Sequence, residues 1–159
     1  MFITLNTGKI REHYKYGSTI GEGAFGVVKE VFSKNGGGKR AMKIIKKSSA
    51  NKKEIEKMMD EVNILKSLDH PNILKLYEFY QDENHYYLIT EFCRGGEMFE
   101  KIKQDNNFSE KTAAFYMKEL FSTLIYMHNT GLVHRDIKPE NILLDNEQHD
   151  KASIKIIDF

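Results

Sequence analysis

The chain has 159 residues, is 40% hydrophobic and 30% charged, and contains two prolines, the composition of a globular domain or a large piece of one. Twenty-four Lys and Arg stand against 23 Asp and Glu, a net charge of +1, so electrostatics favour neither nucleic acid nor an anionic membrane as a partner. The single Cys93 excludes an internal disulfide and fits a reducing compartment.

No strong pattern precedes Tyr16. The start "MFITLNTGKIR" carries neither a secretory pattern nor an acylation signal, and no apolar run approaches the roughly 18 residues of a membrane span. The expectation is an intracellular, soluble protein. From Tyr16 to Ile20 and from Val27 to Phe32 the residues suit strands, with "GEGAFG" between them and the turn "SKNGGGKR" after them. Ala41 to Ile45 reads as a third strand, so the chain opens as an antiparallel meander. The basic run "KKSSANKK" reads as a solvated loop.

From Lys53 to Leu68 the period becomes helical, with Ile55, Met58, Met59, Val62, Leu65 and Leu68 on one side. "DHPN" ends that helix, because a residue before proline resists helical dihedrals. "ILKLYEFY" and "HYYLITEF" are two further strands, and "CRGGE" is a break after which the chain turns helical. A short helix spans Glu97 to Gln104. A longer one runs from Ser109, its N-cap, to Asn129, with Ala113, Met117, Leu120, Phe121, Leu124 and Met127 along one side. "SIKIIDF" closes the chain as a strand.

"GEGAFG" matches G-x-G-x-x-G through Gly21, Gly23 and Gly26. A dinucleotide-binding reading needs a helix next and an acid about 20 residues on; here a strand follows, and Lys43 stands in that neighbourhood. Strand, glycine loop and strand instead make a hairpin tip whose backbone N–H groups can approach phosphate, with Val28 as a roof for a flat base; the plain alternative is a flexible hairpin. Lys43 lies between Met42 and Ile44 and in alternation shares a face with Ala41 and Ile45. A lysine placed there needs an anion, and Glu61 on the following helix is the candidate; the alternative is an exposed edge-strand lysine.

"GLVHRDIKPENILLDN" packs six polar or charged residue types between apolar anchors. Asp136 and Asn141 stand five positions apart around Pro139, and Asp158 follows on the next strand. Two oxygen ligands completed by phosphate and water suit Mg²⁺. That leaves Asp136 to face an attacking hydroxyl and Lys138 to neutralise a transferred phosphoryl group. A merely salt-bridged turn is the structural alternative.

In this order, "GEGAFGVV", "AMK", "HRDIKPEN" and a final "DF" resemble the eukaryotic protein kinases, from about Tyr16 to Phe159. The resemblance implies an α+β, two-lobed fold binding ATP and Mg²⁺. It comprises an extension at 1–15, a small lobe of five antiparallel strands plus one helix at 16–92, a hinge at 93–97 and a partial, mainly helical large lobe at 98–159. It implies an ATP site of Ile20, Gly21, Glu22, Gly23, Ala24, Phe25, Gly26, Val27, Val28, Ala41, Lys43, Glu61, Thr90, Glu91, Cys93, Glu97, Glu140 and Leu143. Within it Lys43 holds phosphates and pairs with Glu61, Thr90 is the gatekeeper, Glu91 and Cys93 offer backbone contacts to adenine, and Val28, Ala41 and Leu143 sandwich its ring. Asp136 would be the catalytic base with Lys138 beside it, and Asn141 and Asp158 the metal ligands. Leu65, Leu76, His134 and Phe159 would stack as a spine, and Arg135 resembles that of kinases controlled through an activation loop.

Lys138 in "DIKPEN" is similar to serine/threonine kinases, and Glu97 and Glu140 suggest protein substrates with basic residues before the target hydroxyl. "GKIREHYKYGSTIGEGAFG" and the stretch from "EVNILKSLDHPN" to "GGEMFEKI" resemble calcium-dependent protein kinases, in which a calcium-sensor module follows the kinase domain; no EF-hand pattern occurs in this chain. The resemblance breaks off at Phe159, before the glycine of D-F-G, which gives the expectation of a fragment with negligible activity alone. The rival readings are a catalytically inactive ATP-binding fragment or pseudokinase-like scaffold, and a small-molecule phosphotransferase. A cytoplasmic location, with the nucleus as a second one, is expected.

Overall fold

The computed structural model describes residues 5–7, 9–23, 26–105, 107–148 and 152–159. Contacts divide the chain into two units, Met1–Ser67 with Lys75–Phe92, and Leu68–Leu74 with Cys93–Phe159.

The first unit is built on strands β1 (Leu5–Thr7), β2 (Tyr14–Gly23), β3 (Gly26–Ser33), β4 (Lys39–Lys46), β5 (Leu76–Gln81) and β6 (His85–Glu91), with a single helical turn α1 (Ile10–His13) and the helix α2 (Lys52–Ser67). Their order is β1-β5-β6-β4-β3-β2. Strands β2 to β6 form the expected five-stranded antiparallel sheet. A sixth, β1, pairs parallel to β5 through Leu5 with Phe79 and Thr7 with Gln81. The sequence shows no strand there, because a three-residue segment held by a distant partner has no period of its own.

Side chains alternate across a strand, and the register sorts them. Val31, Met42, Tyr80, Tyr87 and Ile89 pack on one face with Ile10 and Tyr14, and Val31, Met42 and Ile89 are completely buried. Each such aliphatic side chain contributes roughly 1.5–3 kcal/mol of burial.

The turn into β4 uses Gly36 and Gly38 at φ +82° and +74°, left-handed positions where a side chain is strained. Helix α2 starts with a reciprocal cap: Glu54 N–H donates to Asn51 Oδ1 at 3.1 Å, and Asn51 N–H donates to Glu54 Oε2 at 2.7 Å. Its buried residues are Met58, Val62 and Leu65.

The second unit joins helices α3 (Met98–Gln104) and α4 (Glu110–Asn129) to a small sheet of β7 (Gly96–Glu97), β8 (Ile142–Leu144) and β9 (Ile154–Ile156) in that order. Met98, Tyr116, Ile142, Leu144, Ala152 and Ile154 form its core. Ser109 caps α4, its hydroxyl accepting from Thr112 N–H at 3.1 Å. The buried side of α4 is Tyr116, Thr123 and Met127, with Leu120 packed beside them. Met117 and Phe121, expected on the core side, are exposed, as is Ile125. The helix is apolar around more than half its circumference, so the period alone leaves its rotation open; Glu119, bonded to β9, sets it.

Candidate functional site

In the first unit five of the sequence-predicted residues, Gly21, Val28, Ala41, Lys43 and Thr90, fall on the sheet face opposite the Met42–Ile89 core. Gly21 pairs with Val28, Val28 with Lys43, and Lys43 with Leu88, while Ala41 pairs with Thr90. Directly paired antiparallel residues share a face, so Gly21, Val28, Ala41, Lys43 and Thr90 stand together. Lys43 and Glu61 are half-buried, and neither is without a partner. Glu22 and Val27 pair with one another on the opposite face, so a molecule lying over Val28 would meet their backbone and not their side chains. Ile20 sits where the β2–β3 register slips and is exposed. Ala24 and Phe25 lie outside the described residues.

Gly26 closes the hairpin opposite Gly23, and a Cβ there would run into the Ile44 carbonyl oxygen. Only hydrogen fits, so β3 begins in close contact with the Ile44 backbone of β4. Thr90 Oγ1 donates to the Glu91 carbonyl at 3.1 Å, and Glu91 N–H donates to the Lys75 carbonyl at 3.0 Å. The Glu91 amide is thus committed to the Lys75 carbonyl.

In the second unit, "HRDIKPEN" forms a closed network. The Asn141 amide donates to the Asp136 carbonyl and to Asp136 Oδ2, both at 2.9 Å, and Lys138 Nζ donates to the same Oδ2 at 2.7 Å. Asn141 is buried at the end of a 3-10 turn, Pro139–Asn141, whose fixed proline φ starts it. With the amide nitrogen spent on Asp136, the Asn141 side-chain oxygen remains as the acceptor.

His134, also buried, ties this turn to β9. Its Nδ1 accepts from Asp136 N–H at 3.3 Å, so its Nε2–H donates to the Ile157 carbonyl at 2.9 Å. Its ring lies 5.0 Å from that of Phe159. Ile157 N–H in turn donates to the Asn141 carbonyl at 3.0 Å. Ile157 is held from both sides, immediately before Asp158. Arg135 and Asp158 have φ of +70° and +60°, sparsely populated values for residues with side chains.

The charges are coupled. The hydrogen bond from Lys138 holds the Asp136 carboxyl below the usual aspartate range; desolvation opposes this and the Asn141 bond adds to it. The Lys138 ammonium is pushed up, first by its bond to Asp136 and then by the charges of Asp136, Glu140 and Asp158. Asp136, Lys138, Glu140, Asn141 and Asp158 therefore belong to one electrostatic neighbourhood. Leu143 pairs with Glu97 on one side and Lys155 on the other, half-buried on the β8 face opposite Ile142 and Leu144. Glu97 is exposed at the start of α3, and Cys93 is half-buried.

Among the described residues no three His, Cys, Asp or Glu side chains gather as a metal cluster. The donor set, one amide oxygen and one carboxylate, fits a hard cation that takes its remaining ligands from phosphate and water.

Two residues that the sequence left unmarked support the site. The buried Asn72 donates through Nδ2 to the Ile154 carbonyl at 3.1 Å and accepts from Ile156 N–H at 2.8 Å. Glu119 accepts from Ser153 Oγ at 2.9 Å and from Ile154 N–H at 2.8 Å. Both hold β9, the strand that leads to Asp158.

A family model described as "Protein kinase domain" matches residues 14–159. Calcium-dependent protein kinase 4 of Plasmodium falciparum is 43% identical over 160 residues, covering 100% of this chain and 30% of that protein. A probable myosin light chain kinase of Dictyostelium discoideum is 37% identical, covering 95% of this chain and 38% of the relative. The chain therefore spans only about a third of the length of these relatives. Among solved structures, Rad53 1–466 in complex with AMP-PNP aligns with a TM-score of 0.88 at 32% identity, covering 94% of this chain and 40% of that one. A twitchin kinase fragment of C. elegans gives 0.86 at 32% identity, covering 99% and 34%. With the family model spanning nearly the whole chain and whole-chain relatives above 40% identity, this chain belongs to the protein kinase domain family.

Proposed function

We propose that the chain carries the nucleotide-binding and phosphoryl-transfer residues of a serine/threonine protein kinase that moves the γ-phosphate of ATP onto Ser or Thr hydroxyls of protein substrates. The observation that carries this reading is the Lys138–Asp136–Asn141 cluster. One carboxylate oxygen takes an ammonium and an amide, and its depressed pKa keeps it ionised at neutral pH. A carboxylate of that kind is a weak base and a good acceptor. Asp136 orients the attacking hydroxyl and takes its proton late, which suits a transfer dominated by positioning and charge. Lys138 stands ready to shift part of its charge to the transferred group. On the sheet, Val28 and Ala41 offer an apolar surface to adenine, the Glu91 carbonyl an acceptor, and Lys43 a cation for phosphate.

Asn141 and Asp158 would hold Mg²⁺, which when bound neutralises phosphate charge. Lys138 within "DIKPEN" supports Ser/Thr over Tyr, and the exposed Glu97 and Glu140 support a preference for basic residues before the target. The names of the Plasmodium relatives support a place in calcium-linked signalling, with any sensor module outside this chain. The lone Cys93 supports a cytoplasmic or nuclear location. No helix among the described residues is long and apolar enough to cross a membrane.

The test is a peptide panel assayed with the whole protein, ATP and Mg²⁺: Ser, Thr and Tyr acceptors with and without upstream Arg, beside small alcohols and aminoglycosides. Asp136→Asn should lower turnover on basic Ser peptides by about 10²–10⁴-fold. Equal turnover of that variant, or preference for a small alcohol, would overturn the reading.

A further inference from the structure

A cleft of the first unit lies on the opposite side of the sheet from Val28 and Lys43. It encloses about 1120 Å³ between α1, the face of β3 and β4, and the β5–β6 turn. Its floor is apolar: Tyr16 and Ile44 are half-buried against the Val31–Met42 core, with Tyr87 beside them. Four cations line it, Lys9, Arg11, Lys29 and Lys47, against two acids, Asp82 and Glu83. The chain as a whole carries only +1, so this cleft concentrates positive charge.

Three of the four cations are held by neutral groups. Lys29 Nζ donates to Thr19 Oγ1 at 2.9 Å and Lys47 Nζ to Gln81 Oε1 at 3.4 Å. The Arg11 guanidinium lies over the Tyr16 ring, 5.4 Å from its centroid. Such partners orient a cation without cancelling its charge. Asp82 is likewise fixed by neutral donors, accepting from Asn84 N–H at 2.8 Å, His85 N–H at 2.7 Å and Tyr87 O–H at 2.5 Å, so it keeps its charge and the four cations outnumber the two acids. An apolar floor under a fixed cationic rim fits an extended anionic chain with a bulky apolar side chain.

We propose that this cleft is a docking groove for an acidic peptide segment of a partner protein, bound in trans through carboxylates on the cationic rim and one aromatic or aliphatic side chain on the floor. A peptide fits better than a membrane surface, because the groove is concave and Glu83 stands within it. The proposal does not rest on the phosphotransfer reading, since every residue it uses lies on the far face of the sheet.

The probe is a fluorescein-labelled peptide of alternating Glu and Asp around a central Phe, titrated into the chain by anisotropy. The controls are its Lys-for-acid inverse and phosphatidylserine vesicles. Saturable binding of the acidic peptide that weakens with rising salt is expected. Lys29→Glu with Lys47→Glu should weaken it at least about tenfold. Lys29→Gln with Lys47→Gln, which leaves the apolar floor and the fold untouched by circular dichroism, should give a smaller loss. Unchanged affinity in the folded glutamine variant, equal binding of the lysine peptide, or preference for the vesicles would overturn the proposal.

Discussion

The side-chain amide of the buried Asn141 reaches both oxygens that Asp136 turns toward it, the backbone carbonyl and Oδ2, each at 2.9 Å. One residue thereby fixes the carboxylate and leaves its own oxygen as an acceptor. Asn141→Leu keeps the volume and removes both functions. Phosphotransfer to a Ser peptide should fall by about 100-fold or more, and the Mg²⁺ concentration for half-maximal rate should rise. Asn141→Asp keeps an oxygen for the cation but sets a second carboxylate against Oδ2, which raises the Asp136 pKa. A wild-type rate and Mg²⁺ dependence in Asn141→Leu would remove Asn141 from the site.

The Asp136–Lys138 pair dictates a pH signature. Asp136 has a folded pKa depressed chiefly by the bond from Lys138. Its stabilising contribution is therefore present above the unfolded value of about 3.9 and lost as pH falls through the lower folded value. Lys138 is raised, so its contribution is present below about 10.4 and lost only as pH rises through the higher folded value. Neither group changes charge around neutrality. Carboxyl NMR titration should find Asp136 below the ordinary aspartate midpoint, and Lys138→Met should bring it back up. A midpoint indifferent to Lys138 contradicts the coupling.

His134→Phe retains a ring against Phe159 and deletes both hydrogen bonds, to Ile157 and from Asp136. Stranding a buried carbonyl should cost about 1–3 kcal/mol, measurable by urea unfolding. Amide hydrogen exchange should accelerate at Asp136, whose N–H loses its acceptor. Native protection there would show that the ring's packing, and not its nitrogens, organises the turn.

Gly26 and Gly36 differ in what surrounds them. Gly26→Ala drives a methyl into the Ile44 carbonyl, at a cost of about 2–4 kcal/mol. Gly36→Ala meets nothing within 4 Å and carries only the strain of φ +82°, about 1 kcal/mol. Thermal unfolding of the two variants should separate them clearly, and equal shifts would argue against the close approach of Gly26 to the Ile44 carbonyl.

Most of the fold was readable from periodicity. The five antiparallel strands, α2, α3 and α4 each carry a pattern of their own, and alternation alone put Lys43 beside Ala41 and Ile45 on one face, as the register now has it. What escaped was fixed by distant partners. The β1 strand is three residues completed by β5, and β8 is three residues completed by β7 and β9. The rotation of α4 was missed because its apolar residues surround more than one face; in the structure Tyr116 and Met127 are buried and Glu119 bonds Ser153 and Ile154. The Asn51–Glu54 cap carries a local signal, an Asn followed three positions later by Glu, yet it falls where "KKSSANKK" reads as a solvated loop and no cap is expected. Asn72 and Glu119 carry no such signal. Nothing in their neighbourhoods announces that they hold a strand more than 30 residues away.

Fixing Ile157 through both its amide and its carbonyl has a mechanical consequence. The two bonds fix the point from which Asp158 departs, and its φ of +60° sets the direction in which the chain runs on to Phe159, whose ring lies 5.0 Å from that of His134.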